Sequence, residues 1–234
     1  MSGLGEPERA AIALVARRFP AIWEEADGDS PDAYLTVAGK PVAVEVAAIK
    51  PGLVEPTKPR LRFDRVALGL VGRLQAALSA FVPDGEAIVV TVTAPIRLPA
   101  KTAAELEGKI RDGLARRPAQ LEISDTICGN QVRVRLVTGV SRRMPKVIGF
   151  VHNPDSDPDV LLGLTQSLLQ HVGAAVDRRP PETFTGDRWL VITDEDGLAA
   201  VETYRQVFAP ISASTGFKKV LMVLAGRRVE TLIG

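Results

Sequence analysis

A glutamate stands in the middle of a strand that has little room for it. Residues 42–49 read Val-Ala-Val-Glu-Val-Ala-Ala-Ile, an apolar run rich in β-branched side chains that predicts a buried strand. Burying a carboxylate is costly unless it is paired or binds a cation. Whatever this chain folds into must therefore provide a partner for Glu45. The run is the second arm of a predicted hairpin. Its first arm is Ala33–Val37, and Ala38, Gly39, Lys40 and Pro41 make the turn between them. A second acid, Asp32, opens the first arm directly after Pro31. Side chains alternate along a strand, so residues 43, 45, 47 and 49 share one face.

The rest of the chain narrows what such a hairpin can belong to. With 234 residues it is long enough for one large α/β domain or two small ones. The formal net charge is +1, which argues against a strongly basic nucleic-acid binder but leaves room for a local basic patch. Cys128 is the one cysteine, so an intrachain disulfide is excluded, and with two histidines a Cys/His zinc site has too few ligands. No apolar run reaches the ~18–20 residues a bilayer span needs, and the first residues lack the regions of a signal peptide. The expectation is a cytoplasmic chain without a membrane partner.

Taken in order, residues 6–26 predict a helix, with Ala10, Ala11, Leu14, Val15 and Ile22 near helical spacing and Pro20 as a kink. Glu24 and Glu25 close it. A Pro-broken connector follows the hairpin, then a long helix over residues 60–80. Residues 87–92, Ala-Ile-Val-Val-Thr-Val, suit a central strand buried on both faces. The second half predicts a helix over 102–115 with Thr102 as N-cap, a hairpin of 119–127 and 131–138 about Cys128–Gly129, and a short strand at 147–151. A helix over 160–176, a buried strand at 189–193, a helix at 197–208 and a final hairpin of 219–224 and 228–232 complete it. The fold class is α/β, a mixed sheet flanked by helices. One domain over residues 1–234 is the simpler organisation, with the middle hairpins as a candidate insertion.

The pair Pro31–Asp32, with Glu45 inside the next strand, resembles the metal-binding hairpin of the PD-(D/E)XK nuclease superfamily. The order of elements over residues 6–94 is similar to its restriction-endonuclease-like core, one initial strand being unaccounted for, and residues 95–234 would add to the same domain. The resemblance implies Mg²⁺-dependent hydrolysis of phosphodiester bonds in DNA or RNA, with Asp32 and Glu45 as metal ligands. It also implies a further acid from the first helix, Glu24 or Glu25; Glu25 is taken as the third ligand. The family pattern places Lys two residues after the second acid, where this chain has Ala47. Lys50 and Lys40 have the wrong parity to replace it. The start of the next helix offers Lys58, Arg62 and Arg65, of which Arg62 and Arg65 are the expected catalytic cations. Loss of the Lys also leaves open a binding or assembly module that keeps the fold without catalysis.

Other constellations point to ordinary surface. The paired arginines Arg17-Arg18, Arg116-Arg117, Arg142-Arg143, Arg178-Arg179 and Arg227-Arg228 are scattered, as solvated side chains are. The run at residues 153–159 lacks the Gly and terminal Glu of an EF-hand, and Asp157 before Pro158 is better placed as an N-cap. Neither a P-loop nor a dinucleotide fingerprint is present, and no G-x-S-x-G accompanies the histidines.

Overall fold

The structure, a computed structural model, describes residues 4–28, 30–49, 65–116, 121–152, 154, 158–194, 201–224 and 228–234, with 65, 67, 68 and 202 described by backbone only. Ten strands and five helices are found among these residues. The chain divides into two compact units, one of Met1–Leu53 with His171–Gly234 and the other of Val54–Gln170. Each has its own sheet.

In the first unit, α1 (Glu6–Arg18) leads into β1 (Ala21–Glu25), followed by the hairpin of β2 (Ala33–Val37) and β3 (Lys40–Ala48). The helix expected to reach residue 26 thus stops at Arg18, ahead of Pro20, and Ala21–Glu25 becomes a strand. Tertiary pairing decides this, since Trp23 lies opposite Leu35 and Ile22 opposite Thr36 on β2. The hairpin turn places Ala38 and Gly39 both at positive φ, 48° and 78°. Two-residue hairpin loops favour that geometry because it matches the strand twist.

β3 is flanked on its other side by β8 (Asp187–Asp194), in parallel, so that Glu45 lies opposite Leu190. Beyond β8 come β9 (Lys219–Leu224), parallel, and β10 (Arg228–Ile233), antiparallel. The sheet order is β1-β2-β3-β8-β9-β10. The parallel neighbour of the hairpin is therefore β8, not the apolar run at residues 87–92, which joins the other sheet. One face of this sheet packs Val44, Val46, Trp189 and Val191 against Ile12 and Val15 of α1. The opposite face carries Ala43, Glu45, Ala47 and Leu190, all buried. On that opposite face, Tyr204 of α5 (Val201–Ser212) donates its hydroxyl to Asp194 Oδ2 at 2.9 Å.

The second unit holds a four-stranded sheet of order β5-β6-β4-β7. These are β4 (Glu86–Thr93), β5 (Glu122–Ile127), β6 (Asn130–Thr138) and β7 (Val147–His152). β4 pairs antiparallel with β6 and parallel with β7 and is buried along its length, as its composition predicts. Leu70, Leu74 and Leu78 of α2 (Arg65–Leu78) join Leu106 and Ile110 of α3 (Pro99–Ala115) in the core that covers one face. α3 begins at Pro99, three residues before the expected Thr102, because Pro at the first helical position gives up no needed N–H. Thr102 instead turns its hydroxyl to the Arg97 carbonyl at 2.9 Å. The unit boundary falls within α4 (Pro158–Asp177), whose last turns belong to the first unit.

Candidate functional site

Asp32 reaches its position by completing the hairpin. Its N–H donates to the Val44 carbonyl at 2.9 Å, one residue before β2 begins. Its side chain then takes over from the backbone, and Oδ2 accepts the Val46 N–H at 2.7 Å. A carboxylate is thereby fixed beside β3 by the same ladder that sets the strand register. Glu45 is 1% exposed. Its Oε1 accepts a hydrogen bond from the Ser30 hydroxyl at 2.6 Å.

The partner the buried glutamate demands is Arg178, the residue following α4. Its guanidinium forks onto Asp32, with Nη1 to Oδ1 at 3.0 Å and Nη2 to Oδ2 at 3.2 Å. Such bidentate pairing matches the planar donor geometry of arginine to a carboxylate. The same Nη2 donates to the Val46 carbonyl at 3.3 Å and lies 3.1 Å from Glu45 Oε2. The Glu45 contact is an ion pair out of line with the N–H directions, so Oε2 accepts no hydrogen bond. Three oxygens from Asp32, Glu45 and Val46 thus converge on a single nitrogen. The two carboxylates therefore face one nitrogen, each through one oxygen.

Burial pushes the Glu45 carboxyl up from its ordinary range. The Ser30 hydrogen bond and the Arg178 charge pull it back, Asp32 adds to the rise, and Arg188 opposes it. Arg188 also fixes the end of α4, where its Nη2 donates to the Arg178 carbonyl at 2.7 Å and the Ala175 carbonyl at 3.4 Å. A cation at a helix C-terminus is favoured by the carbonyls left unpaired there.

Glu25 is not brought to this group. It lies opposite Ala33, which lies opposite Val44, so its side chain shares the Val44 face and Glu45 takes the other. There it pairs with Arg9 of α1, whose hydrogen bond holds the Glu25 carboxyl below its usual range. Glu24, opposite Tyr34 and in line with Ala43, is the acid on the Glu45 face. Among the described residues no group of three or more His, Cys, Asp and Glu side chains is placed to hold a metal ion. Arg62, with Lys50, Lys58 and Asp157, lies outside the described residues. Arg65 is the first residue of α2, in the other unit. Ala47 is buried, two residues beyond Glu45.

Sequence reasoning missed Arg178 and Ser30. Ser30 was adjacent to Pro31 and could have been weighed as a partner. Arg178 was hidden among the arginine pairs, and only its place between a helix and Pro180–Pro181 hinted that it ends an element. Asp194 was missed too. It is fully buried and shares the Glu45 face, about 13 Å along the strand at ~3.3 Å per residue. Burial, the Asp194 charge and the hydrogen bond between them raise the pKa of Tyr204.

Compared with family models, curated proteins and solved structures, the chain has no match. No helix among the described residues is long and apolar enough to cross a membrane.

Proposed function

We propose that the chain is a PD-(D/E)XK nuclease-like protein, and that Asp32, Glu45 and the Val46 carbonyl form a Mg²⁺ position for weak phosphodiester hydrolysis of nucleic acid in the cytoplasm. The observation that carries this reading is the convergence of those three oxygens on one point, where a cation now stands as Arg178 Nη2. The fit is chemical as well as geometric. The donors are all oxygen, and Mg²⁺ is commonly held by one or two protein carboxylates with waters completing its shell. Glu45 Oε2 is buried without an aligned hydrogen bond, so one ligand lone pair is uncommitted. The order of elements supports a restriction-endonuclease-like core: α1, β1, the β2–β3 hairpin, a helix and the parallel strand β8. Residues 54–170 would be an insertion between the hairpin and the last turns of that helix.

Mg²⁺ held there supplies Lewis acidity toward a phosphate oxygen. The chain's own residues position it. Asp32 is locked by the Val46 N–H, Glu45 by Ser30, and Ala47 offers no proton donor or acceptor. A positioned acid–base or electrostatic group is typically worth 10²–10⁴-fold in rate, so turnover should be slow. The test is cleavage of a mixed DNA and RNA panel by wild type and Ala47→Lys, each with Mg²⁺ or Mn²⁺. Expected is slow cleavage that Ala47→Lys accelerates. Silence from both proteins, together with no cation binding by calorimetry, would overturn the reading.

A second reading is favoured by the same nitrogen. Arg178 already neutralises both acids, and a binding or assembly module needs nothing more from them than a fixed hairpin.

A further inference from the structure

The oxygen group around Arg178 asks for more than a guanidinium can give. Nη2 carries two hydrogens and faces three oxygens at 3.1–3.3 Å. Hydrogen bonds are directional, and the one to Glu45 is not made. A divalent cation is not limited by a count of hydrogens and can take all three oxygens at once, provided they close in to an octahedral shell at about 2.1 Å. The way Arg178 is held also separates its backbone from its head. The backbone N–H donates to the Ala174 carbonyl at 3.3 Å and the carbonyl accepts from Arg188 at 2.7 Å. Nε makes no hydrogen bond, so the guanidinium is retained by its two terminal nitrogens alone. The side chain is 37% exposed, against 1% for Glu45. Rotation about its side-chain bonds can therefore carry the charge into water while the helix end stays fixed.

We propose that Arg178 is an internal counter-cation that occupies the Asp32–Glu45–Val46 oxygen group at rest and is displaced by a divalent cation, whose affinity is set by that competition. This rests on the reading of the oxygen group as a cation position. Displacement reduces apparent affinity in proportion to the small fraction of molecules with the group vacant. Arg178 then keeps the buried Glu45 and the half-buried Asp32 neutralised whenever no metal is bound.

The test is calorimetric binding of Mn²⁺ to wild type, Arg178→Gln, Arg179→Gln and Asp32→Asn. Arg179 is exposed and next in sequence, so its variant removes a nearby positive charge without vacating the oxygen group. Expected is Mn²⁺ binding at least about tenfold tighter for Arg178→Gln, a change of no more than about threefold for Arg179→Gln, set by screened charge alone, and no binding for Asp32→Asn. In wild type, the Arg178 Nε–Hε resonance should shift on adding Mg²⁺, and this readout decides the matter alone if the Gln variant fails to fold. Equal affinities for wild type and Arg178→Gln, with the resonance unmoved while cation binds, would overturn the competition and leave the cation site standing. No binding by either protein would remove the cation site itself, and the competition with it.

Discussion

Both units bury a polar side chain in a strand, and they treat it in opposite ways. In the second unit Asn130 is 2% exposed. Its Nδ2 sits 2.9 Å from the Arg97 carbonyl, the Thr102 hydroxyl and the Ile127 carbonyl, and its Oδ1 accepts the Arg97 N–H at 2.7 Å. Every part of that amide is used, by groups from the β5–β6 turn and the start of α3. In the first unit Glu45 is as deeply buried, yet Oε2 has a charge beside it and no hydrogen bond. A neutral network that is fully satisfied rigidifies its surroundings. A carboxylate left partly unsatisfied beside a cation whose hydrogen bonds go elsewhere is costly to keep. Such a group is expected where something else is meant to bind.

The largest effects should come from removing the cation or the amide. Arg178→Ala, unfolded by denaturant with a chelator present, should lose about 2 kcal/mol, below the roughly 3–5 kcal/mol of a fully buried pair because only Glu45 is left buried without its counter-charge. A loss below about 0.5 kcal/mol, the size of a surface pair, would mean that the oxygen group does not depend on Arg178. Asn130→Ala should cost about 2 kcal/mol by the same measurement, as buried donors and acceptors lose their partner. If it proved harmless, the contrast between a structural network and a functional one would fail at its structural end.

Glu45→Gln should change stability at neutral pH by less than about 1 kcal/mol, in the stabilising direction. The sign follows from its raised pKa. Below the unfolded-state value Glu45 is protonated in both states and behaves as the glutamine does. As pH rises from there through the raised folded value, the native carboxyl must surrender its proton in a buried place, and wild type loses stability relative to the variant. Ser30, Asp32, Arg178 and Arg188 all face this group, so unfolding midpoints of the two proteins should be compared across pH 4–8. Strong destabilisation by Glu45→Gln would instead mark Glu45 as a structural ion-pair partner. The smallest effect belongs to Glu25→Gln, which should leave both the unfolding midpoint and Mn²⁺ binding where they were. Loss of Mn²⁺ binding in that variant would contradict the strand register that puts Glu25 on the α1 face.

Much of the fold was legible as local pattern. The hairpin at Ala33–Val37 and the following apolar run, the turn at Cys128–Gly129, and the strands at β4, β8, β9 and β10 all lie where alternation and turn residues placed them. Asp32 and Glu45 stood out because an acid is expensive in an apolar strand, and that cost is a property of the residue and its neighbours alone. Tertiary structure decided the rest. Whether Ala21–Glu25 continues a helix or pairs with β2 depends on the partner strand. Which strand lies parallel to β3 depends on how the intervening residues fold. Which of Glu24 and Glu25 shares a face with Glu45 depends on register, because one step in register exchanges the faces. Arg178 meets Asp32 across 146 positions of sequence, and no local spacing can encode a contact that exists only once α4 has ended beside β8.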